Sequence, residues 1–411
     1  MAKVLISLIG TGKMAKGDDS DNRYETTDYI LEDKLYKDLA FTSDAIIQHF
    51  GIDRVYFIGT NKSMWDNLVD RFGGSKKYML EILNKKEKES LKEEDLDKLG
   101  ELFDRHLNGS GSRCFIVKDG ENEEELWSIF EKFLEILDNL NEKDEVYFDI
   151  THLFRSLSVM SFVMAEFGSI THNIDIKGMF YGMLKRNEPS KLINVAMFFE
   201  FLEWAKAFDE LDRFASLDRL VKLANKKVSS NAYSVLQRME EAFNIANMSL
   251  IYNEIQRLKT NLKYFEESED KIISFLAPRF KDFINSLDKK SLGDFQFALA
   301  EFFTERNNAA LGYVALAEAI VTKLGENQGI NEENIKKENV RKEIKNWIIE
   351  GFSKEFPYSH PRKKFADMFF NKINKIRNNI CHQLENSKNA KHDIENLPGY
   401  IEKSKKILKK I

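Results

Sequence analysis

The feature that most constrains this chain is the alternation of short apolar runs with helical periodicity over its first 185 residues. Candidate strands are residues 4–9, 54–59, 113–118, 145–150 and 175–181, and helical patterns at 42–50, 123–140 and 153–167 lie between them. Near-continuous apolar strands separated by helices indicate a buried, mostly parallel sheet of the Rossmann-like, doubly wound type. Residues 24–35, rich in Thr and Tyr, predict an added hairpin.

The second half of the chain has a different pattern. Long helical periodicity replaces the β-branched runs from residue 195 and breaks near 288–293. Pro357 and Pro361 then bracket a turn before the helix that contains residues 377–382. Residues 195–208 carry so many aromatic side chains that we expect this helix to be buried between neighbours or in a dimer interface. The sequence therefore predicts an α/β domain plus an all-α part, divided into residues 1–185, a helical linker or insertion at 186–290, and a domain at 291–411.

Length and composition limit the class of protein. A chain of 411 residues exceeds one ordinary core, and no segment approaches the roughly 18 apolar residues of a membrane span. Two cysteines give neither a disulfide framework nor a zinc quartet, so we expect a cytoplasmic protein. The net charge is −5, yet from residue 353 onward 14 Lys and Arg face only 6 Asp and Glu. This basic end is either a solvated terminus or a surface for a polyanion.

A glycine-rich loop follows the first predicted strand. Gly10, Thr11, Gly12 and Lys13 begin a formal G-x-G-x-x-A match, but an acidic loop at 17–22 follows where that dinucleotide motif requires a helix. A P-loop is absent from the sequence. What remains is a glycine turn at the carboxyl end of a strand, where backbone amides could approach a phosphate, or else a plain tight turn.

Two more polar loops follow later strands. Ligands of open α/β sheets bind beyond the carboxyl ends of the strands, and the first turn of a helix attracts anions. The three loops together predict an anion or nucleotide site, although His152 could equally be a structural histidine. The candidates in these two loops are Thr60, Asn61, Lys62 and Ser63, and then Thr151, His152, Arg155 and Ser156.

A third group of candidates is the hexapeptide R-N-x-x-x-H formed by Arg377, Asn378 and His382. Histidine can transfer a proton near neutral pH, and arginine keeps a positive charge that stabilises a phosphorane. Residues five apart on an α-helix differ by about 140° in direction, so the pair could converge where two such helices meet. No H-E-x-x-H zinc spacing is present, and we expect no metal. Alone, the pattern is also compatible with a surface arginine and an unrelated histidine.

The three loops resemble a known family. The segments S-L-I-G-T-G, T-N-K-S-M-W and D-I-T-H-L-F-R-S-L, which begin at Ser7, Thr60 and Asp149, and the later F-Y-G closely resemble the CARF domain of CRISPR-associated proteins. In the Csx family of type III systems, this sensor is joined to a C-terminal HEPN ribonuclease. Leu153 stands where glycine is commoner, and proline is frequent near Ser158. These departures leave Thr151, His152 and Arg155 in place.

The resemblance implies a CARF domain at 1–185, a HEPN domain at 291–411, and a homodimer, with higher oligomers left open. The paired CARF domains would bind one cyclic oligoadenylate, a tetra- or hexa-adenylate, with Lys13, Lys62 and Arg155 supplying phosphate charge. The helical domain would cleave single-stranded RNA in type III CRISPR antiviral defence, with no metal or cofactor. Two alternatives stay open, namely a ring nuclease that degrades its activator and a catalytically inactive, ligand-responsive regulator.

Overall fold

The computed structural model describes residues 2–12, 26–152, 154–183, 185, 188–350, 357–382 and 390–410. The chain forms two compact units, Met1–Glu200 and Phe201–Ile411. The first is an α/β unit and the second is helical, which confirms the predicted fold class. The finer division at residues 185 and 290 stays a prediction.

Within the described residues, the first unit contains one eight-stranded sheet in the order β3-β2-β8-β7-β6-β1-β4-β5. The pairs β1–β4, β1–β6, β4–β5, β6–β7 and β2–β8 are parallel, whereas β2–β3 and β7–β8 are antiparallel. The sheet is therefore mostly parallel, as predicted. The strands are β1 (Lys3–Ile9), β2 (Thr27–Leu31), β3 (Lys34–Leu39), β4 (Arg54–Gly59), β5 (Arg113–Ile116), β6 (Glu145–Asp149), β7 (Asp175–Gly182) and β8 (Ser190–Asn194).

Helices cover both faces of this sheet, which explains the continuous apolar runs. Along β1, Leu5 and Ile9 enter one core, whereas Val4, Ile6 and Leu8 enter the core on the opposite face. Because side chains of a strand alternate between faces, a strand covered on both sides must be apolar at nearly every position. The helices are α1 (Thr42–Phe50), α2 (Trp65–Arg71), α3 (Lys76–Glu87), α4 (Asp97–Leu107), α5 (Glu123–Asp138) and α6 (Arg155–Thr171), with a 3₁₀ turn at Glu93–Leu96.

The edge strands were only partly predicted. The hairpin is confirmed as β2 and β3, and it joins the sheet through β8, a strand that the sequence pattern did not reveal. β8 is short, and it follows Pro189 in a segment of mixed polarity, so it lacks the apolar run of a central strand. Its antiparallel pairing with β7 places it beside the last predicted strand.

The second unit is built from helices around one extensive core. The predicted break near 288–293 is confirmed, since one helix ends at Leu287 and the next begins at Leu292. The aromatic helix α7 buries Trp204 and Phe208 but leaves Phe198 and Phe201 exposed, so it is not buried on all sides within this chain. The helices are α7 (Met197–Phe214), α8 (Asp218–Ala224), α9 (Ser230–Asn244), α10 (Met248–Asn261), α11 (Lys263–Glu266), α12 (Lys271–Leu287), α13 (Leu292–Glu305), α14 (Ala309–Asn327), α15 (Glu332–Ile335), α16 (Glu338–Glu350), α17 (Pro361–Asp367), α18 (Lys375–His382) and α19 (Ala390–Leu408).

A π-helical segment, Met368–Asn374, joins α17 to α18 without a break. π-Helical turns are rare and occur frequently at functional sites. This one directly precedes the R-N-x-x-x-H hexapeptide. None of the helices in the described part of the chain is long and apolar enough to cross a membrane.

Candidate functional site

The strand order of the α/β unit reverses at β1. The chain passes from β1 to β4 and β5 on one side and then continues with β6 and β7 on the other. The loops after β1, β4 and β6 leave the same edge because these strands are parallel. Such a reversal point is where open α/β sheets bind ligands, so the structure brings the three predicted loops to one candidate site.

The loops after β1 and β4 are joined by hydrogen bonds. Ser63 Oγ donates to the Ile9 carbonyl at 2.8 Å and accepts from the Thr60 amide at 2.9 Å, and the Met64 amide donates to the Gly10 carbonyl at 2.9 Å. Thr60 Oγ1 accepts from the Lys62 amide at 3.3 Å. Thr60 and Ser63 are both buried, so their hydroxyls set the loop shape rather than face a ligand.

Other side chains of these loops are available for contact. Thr11 and Gly12 are exposed, and Gly12 adopts φ +67°, a conformation that favours glycine. Asn61 Oδ1 is buried and has no hydrogen-bond partner among the described residues. Lys62 is exposed, with its ammonium 3.6 Å from Glu89 and 3.9 Å from Asp119. Lys13 lies outside the described residues, so its predicted phosphate contact stays a prediction.

Asp149, at the end of β6, organises the third loop. One carboxylate oxygen accepts from Ser7 Oγ at 3.1 Å and Thr42 Oγ1 at 2.5 Å, and the other accepts from the Thr151 amide at 3.1 Å. The side chain is 1% exposed. These three hydrogen bonds fix strand β1, helix α1 and the β6 loop in one arrangement. Burial, and then the nearby carboxylates of Asp149 and Asp44, raise the pKa of Tyr29 to about 12.

The sequence motif contained Asp149, but the predicted site residues did not include it. Its burial between three elements becomes visible only in the tertiary structure. Thr42, which donates to it from the first turn of α1, was likewise outside the predicted site. Thr151 was predicted, and it makes two hydrogen bonds in this region. Its amide donates to Asp149, and its hydroxyl accepts from the Gly182 amide at 2.9 Å.

His152 follows Thr151 in this loop. Its Nε2 is buried and has no hydrogen-bond partner among the described residues. Burial lowers the pKa of His152, and the charge of Asp149 opposes this shift without cancelling it. The imidazole is therefore neutral at neutral pH. A buried nitrogen without a hydrogen-bond partner is unfavourable, unless a bound ligand supplies the partner atom.

Helix α6 begins directly after this loop. Arg155 and Ser156 form its exposed first turn, and the residue before them, Phe154, gives the helix no side-chain cap. The guanidinium of Arg155 has no ion pair within the described part of the chain. Uncapped amides at the start of a 17-residue helix, beside a cation, favour an anion there.

A second candidate site lies in the helical unit. Arg377 and Asn378 are half-buried on α18, and Arg377 Nη1 donates to Asn378 Oδ1 at 3.1 Å. Arg377 Nη2 lies 3.8 Å from Glu318 Oε1 on α14, a partner that no sequence pattern indicated. His382 is the last residue of α18, and its side chain lies outside the described residues. The Arg377–His382 pairing therefore stays a prediction.

Comparison with protein families agrees with the fold of the first unit. Residues 4–184 match the family model described as the CARF domain of the CRISPR system endoribonuclease Csx1. Residues 200–292 match the model described as the second domain of CRISPR-associated protein MJ1674. The first unit thus matches the CARF domain of a CRISPR-associated protein, which confirms that part of the resemblance.

Individual relatives show how far this similarity extends. The CRISPR-associated protein MJ1674 of Methanocaldococcus jannaschii is 27% identical over 429 residues, which cover 98% of this chain and 66% of the relative. The chain thus spans slightly less than two thirds of that protein. Among solved structures, Enterococcus italicus Csm6 bound to cyclic hexa-2'-fluoro-hexa-dAMP is 12% identical, with a TM-score of 0.42, over 99% of this chain and 94% of that one.

Proposed function

We propose that this protein is a cytoplasmic, cyclic-oligoadenylate-activated endoribonuclease of type III CRISPR defence, with a HEPN domain in its helical unit. The observation that carries the proposal is the convergence of the three CARF loops at the strand-order reversal, where polar atoms remain unpartnered. The R-N-x-x-x-H helix in the second unit supplies the residue types that metal-independent RNA cleavage requires.

Each group in the CARF site has a chemical role in this proposal. Arg155 and the first amides of α6 bind a phosphate of the ring, while Asn61 and His152 offer hydrogen bonds to adenine or ribose. Lys13 and Lys62 add positive charge. A cyclic tetra- or hexa-adenylate suits a site of this kind because it is a polyanion with repeated bases.

The homodimer in the proposal is supported by one face of α6. Val159, Val163, Phe167 and Ile170 form a row along this helix, and their exposed fractions are 65%, 56%, 40% and 68%. Apolar rows of this kind mark association surfaces. A second copy of the chain is the occupant we propose, because pairing along α6 about a two-fold axis would bring two Arg155 residues toward one symmetric ligand.

The proposed reaction is attack of a ribose 2′-hydroxyl on the adjacent phosphorus. The 2′-O–P bond forms and the P–O5′ bond breaks, which leaves a 2′,3′-cyclic phosphate and a 5′-hydroxyl. His382 transfers protons, and Arg377 stabilises the extra negative charge of the phosphorane, while Asn378 holds one Nη of Arg377. DNA lacks the 2′-hydroxyl and is spared.

Degradation of the activator by the CARF loops is a second candidate function, and His152 is the observation that favours it. A neutral imidazole with a free buried nitrogen could transfer a proton to or from the ring phosphodiester. The third candidate, a regulator without catalysis, requires only ligand binding.

One set of assays separates the three candidates. Purified protein with cyclic tetra- or hexa-adenylate and labelled single-stranded RNA in EDTA should produce cleavage, which His382→Ala should abolish and Arg377→Ala should reduce to a small residual rate. His392→Ala, a change of an exposed histidine on α19, is the matched control and should stay active. Arg155→Glu should lose activator binding. Failure of the wild-type protein to cleave RNA would reject the ribonuclease proposal. Conversion of labelled cyclic adenylate to linear products during incubation with the protein would establish the ring nuclease.

A further inference from the structure

The carboxylate of Glu318 lies between two arginines in the helical unit. Its Oε2 accepts from Arg341 Nη2 at 2.5 Å, and its Oε1 lies 3.8 Å from Arg377 Nη2. All three side chains are largely shielded, with exposed fractions of 26% for Glu318, 17% for Arg341 and 30% for Arg377. The three residues come from α14, α16 and α18, so only the tertiary structure brings them together.

Arg341 holds Glu318 firmly in this place. Its guanidinium also donates to Thr322 Oγ1 at 3.1 Å and to the backbone carbonyl of Glu318 at 3.4 Å. Thr322 is completely buried on α14, one turn after Glu318. The carboxylate is therefore fixed by an arginine that is itself anchored, and it offers its second oxygen toward α18.

Arg377 needs such a partner because of its position on the helix. Phe369 and Ile373 precede it by eight and four residues and are buried, and the Arg377 side chain itself is only 30% exposed. A guanidinium that is largely shielded from water costs free energy unless it is paired. Glu318 forms an ion pair with Nη2 at 3.8 Å, and Asn378 Oδ1 accepts a hydrogen bond from Nη1.

We propose that Glu318 is a positioning residue for Arg377, and this inference rests on the proposed ribonuclease function. By attracting Nη2 as an ion-pair partner, Glu318 favours one rotamer of Arg377 and leaves the remaining N–H groups to face a phosphate. Restriction of this kind lowers the barrier, since misplacement by about 1 Å can cost roughly 100-fold in rate.

The charge balance favours positioning over masking. Glu318 accepts a hydrogen bond from Arg341, whereas its distance to Arg377 is 3.8 Å, which is beyond hydrogen-bond range. Two guanidinium groups share one carboxylate, so the cluster keeps a net positive charge. Arg377 thus keeps its attraction for a phosphorane while its direction is fixed.

Glu318→Gln tests the proposal because it removes the charge and keeps the shape. We expect kcat for RNA to fall about 10- to 100-fold, with KM within about 2-fold, because the arginine is present but misplaced. Glu326→Gln is the matched control. Glu326 also lies on α14, is half-buried and pairs with Lys323 at 3.2 Å, about 12 Å along the helix axis from Glu318. Its kcat should equal that of the wild-type protein.

A double variant distinguishes a positioning role from a general loss of structure. If Glu318 acts through Arg377, then Glu318→Gln combined with Arg377→Ala should be no slower than Arg377→Ala alone. A further loss in the double variant would overturn the inference. Glu318→Asp keeps the negative charge but moves it one methylene farther from Arg377. Its kcat should lie between those of Glu318→Gln and the wild-type protein. This variant tests the same role if Glu318→Gln folds poorly.

The outcomes separate the inference from the proposed function. A fully active Arg377→Ala variant would reject the proposed nuclease site itself. If Arg377→Ala keeps only a small residual rate and Glu318→Gln keeps normal kcat, the site stands and the positioning role is wrong. A rise of activity without activator in Glu318→Gln would show that Glu318 masks Arg377, which would also overturn the inference.

Discussion

Replacement of Asp149 by alanine is the most informative single change in the CARF site. The carboxylate accepts three hydrogen bonds, from Ser7, Thr42 and the Thr151 amide, and it is nearly inaccessible to water. Hydrogen bonds to a charged group contribute about 1.5–3 kcal/mol each to stability. Alanine also removes the free-energy cost of burying the charge, which offsets part of this loss. We therefore expect a loss of about 2–4 kcal/mol in the free energy of unfolding of this unit.

Asp149→Asn should be milder. Its remaining oxygen can still accept from the Thr151 amide, while its new NH₂ group requires the hydroxyls of Ser7 and Thr42 to turn and accept instead. We expect a loss of about 1 kcal/mol. Thermal unfolding measures both effects, at about 2–4 °C for each kcal/mol in a unit of this size.

Asp144, which directly precedes the first residue of β6, provides a matched control. It is also buried, and it accepts from the Ala2 amide at 2.8 Å and from the Asn141 amide at 3.0 Å. Asp144→Ala should lower the melting temperature comparably but change cyclic-adenylate affinity less than about 2-fold. Asp149→Ala should weaken that affinity at least about 10-fold, because the loop that carries His152 loses its anchor.

Calorimetric titration with cyclic tetra- and hexa-adenylate, at a temperature where each variant is folded, measures these affinities. Equal ligand binding by the Asp149 and Asp144 variants would refute the reasoning, since it would mean that the Asp149 network does not shape the ligand site. An Asp149→Ala variant as stable as the wild-type protein would refute the assigned hydrogen-bond contribution.

Two further predictions concern the same unit. In Gly59→Ala, the new methyl group would lie 2.7 Å from Ile9 Cγ1 and 2.7 Å from Ser63 Oγ. We therefore expect denaturant unfolding to show a loss of about 1–3 kcal/mol in the free energy of unfolding, together with weaker binding of the cyclic adenylate. In Gly51→Ala the methyl group meets no atom within 4 Å, but the residue is strained by its φ of +65°. Because the pKa of His152 is lowered in the folded protein, the unfolded chain binds a proton at this histidine at a higher pH than the folded chain does. The contribution of His152 to the free energy of unfolding is therefore complete above pH 6.5 and declines as the pH falls below 6.5. His152→Asn should therefore lose less melting temperature between pH 7.5 and 5.5 than the wild-type protein, and identical losses would contradict the assignment.

The sequence predicted most of the sheet because burial on both faces leaves a local record. Strand β4 was predicted at its observed bounds, and β1 within one residue, since each is apolar at successive positions. β8 escaped notice because it is short, lies near the sheet edge and has mixed polarity. Its place depends on pairing with β7 and β2, which are separated from each other along the chain.

The sequence by itself determined the two-part architecture, the three polar loops and the R-N-x-x-x-H helix, because periodicity and residue chemistry are local properties. Only the tertiary structure decided that Asp149 joins three elements and that Glu318 faces Arg377. Asp149 and its partner Thr42 are 107 residues apart, and Glu318 lies 59 positions before Arg377. Contacts at such separations leave no pattern in a single sequence, because they arise from the packing of the whole core.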